Sequence, residues 1–406
     1  MTERNDRLSA WRFIAVFGVV SLLMDFVYEG ARSVTGPLLA SLGASGAVVG
    51  VVTGAGEASA LGLRLVSGPL ADRTQRFWAW TIGGYVLTAV SVPVLGLAGV
   101  LWVACALVIA ERVGKAVRSP AKDTLVSHAT AVTGRGKGFA VSEALDQIGA
   151  LIGPLTVAGV LALTDDDYAP ALGVLAVPGV AAIVLLLWLR ARVPEPAGYE
   201  PSEAAPASAT PGPAAPQATA AAAPRLPRSF WVYAAFTAAT TAGFATFGLV
   251  SFHLVERHLV PTAAVPVIYA GAMVTDALAA LATGWVYDRI GARVLVALPV
   301  LAAATPFLAF AGHAAVAVLG ALVWGCAVGI QESTLRATVA DLVPPGRRAT
   351  AYGIYAGVIG GAALVGGALL GALYDVSVTA LIGVVVAIQA VALLLLAVTR
   401  RRAERG

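Results

Sequence analysis

Charged side chains sit in this sequence where almost every neighbour is apolar, and they are the residues best placed to do chemistry. Asp25, Glu29 and Arg32 follow one another at spacings of four and three, so on a helix they share one face. Glu111, Lys115, Arg118 and Lys122 make a second stripe of this kind, with Arg112 beside it, while Glu57, Glu143, Asp146 and Asp276 stand more singly. Each such charge costs roughly 2.5–3.5 kcal/mol at the centre of a membrane helix, so each needs a partner or a function. Carboxylates set among guanidinium groups can take up and release protons as water reaches them from one side or the other. Asp25 and Arg112 fall nearest the estimated mid-depth. Lys115 to Asp123 approaches a helix end, where a solvated, snorkelling stripe is expected.

A second group has mixed character. Thr240, Thr241, Phe244 and Phe247 occupy one apolar run, and Trp324, Gln331, Glu332 and Arg336 another. With Asp276 they would form an aromatic and polar wall suited to an amphiphilic organic solute, although such stripes also serve helix packing. Glu332 and Arg336, four apart, suggest an intrahelical pair that supports a gate. The histidines His128, His253, His258 and His313 and the two cysteines Cys105 and Cys326 show no ligand spacing, so no metal site, disulfide or cofactor is expected. No phosphate-binding glycine loop is visible, and an enzyme is not the expected class.

The elements that position these residues are long apolar runs. Of 406 residues 58% are hydrophobic and 12% charged, about half the charge that a soluble domain carries. Runs of about 20 residues, the length that crosses a bilayer, fall near 13–40, 46–66, 78–98, 100–122, 138–163 and 169–189. Six more fall near 229–255, 262–285, 292–311, 314–336, 349–371 and 377–398. The expected fold class is therefore an all-α membrane protein of twelve transmembrane helices in two six-helix bundles, residues 1–190 and 229–399. Residues 191–228, rich in Ala and Pro, read as a disordered cytoplasmic linker, and 400–406 as a basic cytoplasmic tail. The first run lacks a small-residue cleavage site and is expected to remain as a helix.

The net charge of +4 comes from basic residues at alternate connections, among them Arg73, Arg76, Arg190, Arg192, Arg289, Arg293 and Arg347. The opposite connections hold almost only Arg257. By the positive-inside rule both termini face the cytoplasm, and no nucleic-acid partner is implied.

The halves repeat. Gly68-Pro-Leu-Ala-Asp72-Arg73 follows the second run, with Arg76 close behind, and Gly284-Trp-Val-Tyr-Asp288-Arg289-Ile-Gly291 follows the eighth. Such internal duplication places a substrate site near mid-membrane between the halves. This doubled GxxxDR loop resembles the loop signature of the major facilitator superfamily, in its twelve-helix bacterial type. Gln75 stands in the first copy where that family usually has Gly. The resemblance implies a latch between halves at Asp72 and Asp288, with the surrounding Gly68, Arg73, Arg76, Gly284, Arg289 and Gly291 in gating. It also implies that the first and fourth helices line a central cavity. Gly149-Ala-Leu-Ile-Gly153-Pro154 is similar to part of a glycine-proline motif of exchangers in that superfamily, and equally suits close helix packing.

The expected function is thus a secondary transporter in the bacterial inner membrane, a monomer that takes a small molecule and protons as partners. The leading form is proton-coupled export of an amphiphilic organic solute, drug-like or metabolic. Uptake of a metabolite, passive facilitation, metal-ion transport by the clustered carboxylates, and a membrane sensor without transport are the alternatives.

Overall fold

The computed structural model describes residues 8–133, 135–199, 226–343 and 347–403. Most of the 191–228 linker and the end of the 400–406 tail lie outside the described residues. The N-terminal half contains α1 (Ala10–Ser41), α2 (Gly46–Gly62), α3 (Arg64–Thr74), α4 (Phe77–Gly96), α5 (Leu101–Thr133), α6 (Arg135–Leu163), α7 (Tyr168–Gly173) and α8 (Ala176–Arg192). The C-terminal half contains α9 (Arg228–Ala242), α10 (Phe247–Glu256), α11 (Ala264–Ile290), α12 (Ala297–Ala309), α13 (Ala314–Leu342), α14 (Arg348–Val376) and α15 (Val378–Ala403). The protein is an all-α membrane protein.

Among the described residues, ten helical stretches are long and apolar enough to cross a membrane. One of them, Ala264–Ala309, holds both α11 and α12, joined by a short 3-10 turn. α5 lies outside that set because its first 18 residues already carry Glu111, Arg112, Lys115 and Arg118. Hydropathy alone under-reads this helix, since its charges are satisfied by neighbours rather than by water.

Local signals set the helix starts. Ser45 accepts a hydrogen bond from the Val48 N–H at 3.4 Å, Asp167 from the Ala169 N–H at 2.9 Å, and Thr246 from the Leu249 N–H at 3.4 Å, each satisfying an amide that the first turn leaves unpaired. The turn after α3 closes at Gln75, whose φ of 54° is left-handed, and the one after α11 at Gly291, with φ of 62°. The two positions share a positive φ but not a turn geometry: ψ is 18° at Gln75, a left-handed helical residue, and −150° at Gly291, a conformation open to glycine.

These two turns define one end of the molecule, the loop end. At the opposite end the halves are packed together. Gly46, Gly50 and Gly54 of α2 meet Gly371, Gly367 and Ala363 of α14 in antiparallel register, so closely that a Cβ on Gly50 would strike the Gly367 carbonyl, and one on Gly367 the Gly50 carbonyl. Small residues four apart permit this backbone approach. The Asp375 carboxylate, at the end of α14, accepts from the Gly46 N–H at 2.8 Å and the Ala47 N–H at 2.9 Å, capping the positive end of α2 from the other half. Thr53 and Thr246 share a hydroxyl hydrogen bond of 2.9 Å across the same seam, and Gly36 of α1 lies against the backbone of Gly248 in α10.

The apolar cores follow this division. One continuous cluster, including Val34, Leu38, Val49, Phe247, Tyr269 and Tyr374, runs through both halves at the sealed end. Toward the loop end it splits into two, one around Phe13, Phe17 and Trp78 in the N-terminal half and one around Phe230, Tyr233 and Leu335 in the C-terminal half. Between those separate cores lies the site.

Candidate functional site: a charged cavity between the halves

Two adjoining cavities, of about 260 Å³ and about 430 Å³, occupy the space between the halves and share Arg64, Lys115, Glu143, Gln147, Asp276 and Glu332 in their walls. Exposed Asp123, Glu143 and Glu332 lie along them, so water enters from the loop end.

The wall is built chiefly from α1, α5 and α6 on one side and α11 and α13 on the other. Glu29 of α1 is buried, and lies 3.7 Å from Arg32 one turn on. Arg32 reaches Glu57 of α2 at 3.2 Å, Glu57 also holds Arg112 of α5 at 3.4 Å, and the Arg112 Nε lies 3.4 Å from Glu111. This chain of alternating charge crosses three helices, which is how the fold accommodates five buried or half-buried ions in an apolar bundle. Two further pairs stand beside it: Asp25 with Arg118 at 3.8 Å, and Asp146 of α6 with Lys122 at 3.5 Å. The Tyr28 ring, buried, receives the Lys115 ammonium at 3.9 Å and the Arg112 guanidinium at 4.6 Å from its centroid, a cation–π arrangement that partly offsets their loss of hydration.

A polar bridge from this network to the other half is the hydroxyl of Tyr269 in α11, which donates to the Glu29 carboxylate. Tyr269 packs edge-on against Phe247 at 4.5 Å. Asp276, two turns further along α11, is 5% exposed, and its Oδ1 has no hydrogen-bond partner among the described residues. It sits against Gly329 of α13, where a Cβ would come within 2.9 Å of that oxygen.

Of the expected site residues, the structure brings Asp25, Glu29, Arg32, Glu57, Glu143, Asp146 and Asp276 to the cavities, and links Arg112 to them through Glu57. Asp25 and Arg112, both expected near mid-depth, do not pair: Asp25 meets Arg118, which α5 presents one turn and a half nearer the loop end. Two expectations change. The Lys115–Asp123 stripe is not a solvated, snorkelling end: Arg118 is 4% exposed, and Lys115 and Lys122 face the cavity. Phe244 and Phe247 do not line it. Phe244 stacks on Trp324 with centroids 6.1 Å apart, and Phe247 is buried between Trp324 and Tyr269, so the aromatic wall is packing that seals the closed end.

Glu332 lies exposed in the cavity wall, and the side chain of Arg336 is outside the described residues. Asp72, Arg73, Arg76, Asp288 and Arg289 are exposed at the loop end, with the Arg289 guanidinium 3.1 Å from the Trp285 ring centroid. Gly68 packs near Pro120 of α5, a would-be Cβ standing 3.7 Å away, whereas Gly284 faces open space. Gly149 and Gly153 press α6, which carries Pro154 within it, against the backbone of α1 at Leu22 and Phe26. His253 is a packed histidine, its Nδ1 2.8 Å from the Tyr374 hydroxyl.

Tyr28 and Tyr269 were not singled out in the sequence. Tyr28 carried a signal in its place beside Glu29, but nothing local marks Tyr269, whose partner lies 240 positions away.

The sequence pattern of the Major Facilitator Superfamily matches residues 17–366 and 260–406. An uncharacterised protein of Mycobacterium tuberculosis is 63% identical over 392 residues, covering 96% of this chain and 93% of that one. An MFS-type transporter of Methanocaldococcus jannaschii is 27% identical over 151 residues, 37% of each chain. Among solved structures, a point-mutant form of the nucleoside transporter NupG superposes with a TM-score of 0.74 at 14% identity, covering 96% of this chain and 99% of that one. The peptide transporter POT in complex with sulfate gives 0.70 at 15%, covering 97% and 94%. These likenesses are of fold.

Proposed function

Because this chain belongs to the Major Facilitator Superfamily, we propose that it is a secondary active transporter that carries a small polar solute by alternating access, coupled to protons. The observation that carries this reading is the split core: one apolar cluster joins the halves at the sealed end, two separate clusters flank a charged, water-accessible cavity at the other. Besides this apolar cluster, the seal is made of backbone-close glycine contacts and a few hydrogen bonds between the halves. Rocking the halves would break it while the loop end closes.

The arginines of the loop end support an orientation with both termini and the open cavity facing the cytoplasm, and in this reading the protein works as a monomer in the plasma membrane. Asp72 and Asp288, exposed in this state, would engage as a latch when that end closes. Export in exchange for protons is the direction we retain, on the resemblance of Gly149 to Pro154 to exchangers alone, since packing on α1 accounts for both glycines. The cargo is a polar solute rather than an amphiphilic one, because Phe244 and Phe247 are spent on packing and the cavity is lined by charge.

Glu29 is the proton carrier in this reading. It is a buried carboxylate at the cavity that is held by Arg32 and also touches the opposite half through Tyr269, so its protonation bears on whether the halves stay joined. In proteoliposomes with an imposed pH gradient, the wild-type protein is expected to drive a labelled polar metabolite against its concentration. Glu29→Gln should retain solute counterflow and lose the response to the gradient. Wild-type flux indifferent to the gradient would overturn the coupling.

A further inference from the structure

The charges of the cavity are distributed unevenly between its two walls. Among the described residues, every basic side chain lining it comes from the N-terminal half: Arg32, Arg64, Lys115, Arg118 and Lys122. The charged groups that the described residues of the C-terminal half contribute are both acids, Asp276 and Glu332, beside the apolar Met273 and Val328.

Most of the N-terminal charge is already matched. Arg32 lies with Glu29 and Glu57, Arg118 with Asp25, and Lys122 with Asp146. Lys115 enters no ion pair among the described residues; its ammonium rests on the face of Tyr28 at 3.9 Å and borders both cavities. Arg64 stands on the same wall, and Glu143 lies exposed at the rim. On the facing wall, Asp276 is 5% exposed and one of its carboxylate oxygens is unpartnered. A buried acid without a cation is costly unless something completes it.

From this we propose that the transported solute is a small zwitterion, its ammonium group bound by Asp276 and Glu332 of the C-terminal wall and its anionic group by Lys115 of the N-terminal wall. The inference rests on the transporter reading above and names its cargo. A purely cationic solute would leave Lys115 uncompensated, and a purely anionic one would leave Asp276 so. A solute with both charges completes both walls at once and adds no net charge to the membrane interior. It also spans the gap between halves, so its binding free energy favours the state in which the open end closes over it. Cavities of about 260 and about 430 Å³ fall at the small end of ligand sites, which suits a molecule the size of an amino acid or dipeptide.

The test uses the purified full-length protein in detergent, with thermal stabilisation as readout. The probes are the zwitterions L-alanine and L-alanyl-L-alanine, the cation propylamine, the anion propionate and the neutral propionamide. Saturable stabilisation by a zwitterion, exceeding that by the other three, is expected. Asp276→Asn and Lys115→Met should each weaken its apparent affinity about tenfold or more, as loss of a charge-assisted contact implies, and Glu332→Gln by less. Should Asp276→Asn fail to fold, Lys115→Met and the exposed Glu332→Gln carry the same comparison. The proposal is overturned if no zwitterion stabilises the protein, if propylamine, propionate or propionamide does so best, or if the folded variants keep wild-type affinity. Flux assays separate the two readings: a zwitterion bound but never carried across proteoliposomes would sink transport and leave only the binding site at Asp276 and Lys115 standing, and flux of propylamine or propionate alone would keep transport and overturn the zwitterion.

Discussion

At the scale of single residues, the decisive feature is that one carboxylate serves two cations. Glu57 lies 3.2 Å from Arg32 and 3.4 Å from Arg112, on three different helices, so its loss leaves two guanidinium groups facing each other without a shared anion. Glu57→Gln keeps the shape and removes the charge. It is expected to lower stability by roughly 1.5–3 kcal/mol, the worth of a hydrogen bond to a charged group, read as a reduced folded yield and a lower melting temperature in detergent. An unchanged melting temperature would show that the chain of charges is not cooperative. Tyr28 explains why the neighbouring cations are tolerated: Lys115 and Arg112 are stacked on its ring rather than left bare in the apolar interior.

At the scale of elements, the α2–α14 contact sets which state the molecule occupies. Gly50 and Gly367 touch backbone to backbone, and any larger residue there must push the helices apart. Gly367→Leu should therefore open the sealed end while the separate cores of each half persist. In a background with Cys105 and Cys326 replaced by Ala, a Thr246→Cys reporter on this seam should become reactive to a membrane-impermeant thiol reagent added from outside. Continued protection of that cysteine in folded protein would mean that the glycine register does not govern closure. The α1–α6 contact at Gly149 and Gly153 lies within one half, so it is not a moving seam.

At the scale of the whole molecule, the loop end is the part still open, with Asp72 and Asp288 in solvent. If closure there needs both turns, Asp72→Asn and Asp288→Asn should each slow solute flux in proteoliposomes without lowering the amount of folded protein. Normal flux in both variants would remove the latch. Cooperation of this kind is a property of the assembled halves, because among the described residues neither turn forms an ion pair with the other half in the present state.

Much of this was legible in the sequence because a bilayer imposes one-dimensional rules. Helix length is fixed by membrane thickness, arginines are distributed by side, and the duplication repeats the GxxxDR turn, so architecture and the burial of Asp25, Glu29, Glu57 and Asp276 near a central cavity follow from local pattern. Partner choice does not. That Asp25 meets Arg118 and not Arg112, that Phe247 packs against Tyr269 instead of facing solute, and that Tyr269 reaches Glu29 from 240 positions away depend on how helices rotate and cross. Those angles are set by where glycines let two backbones approach, which involves both partners at once and is written in neither segment alone.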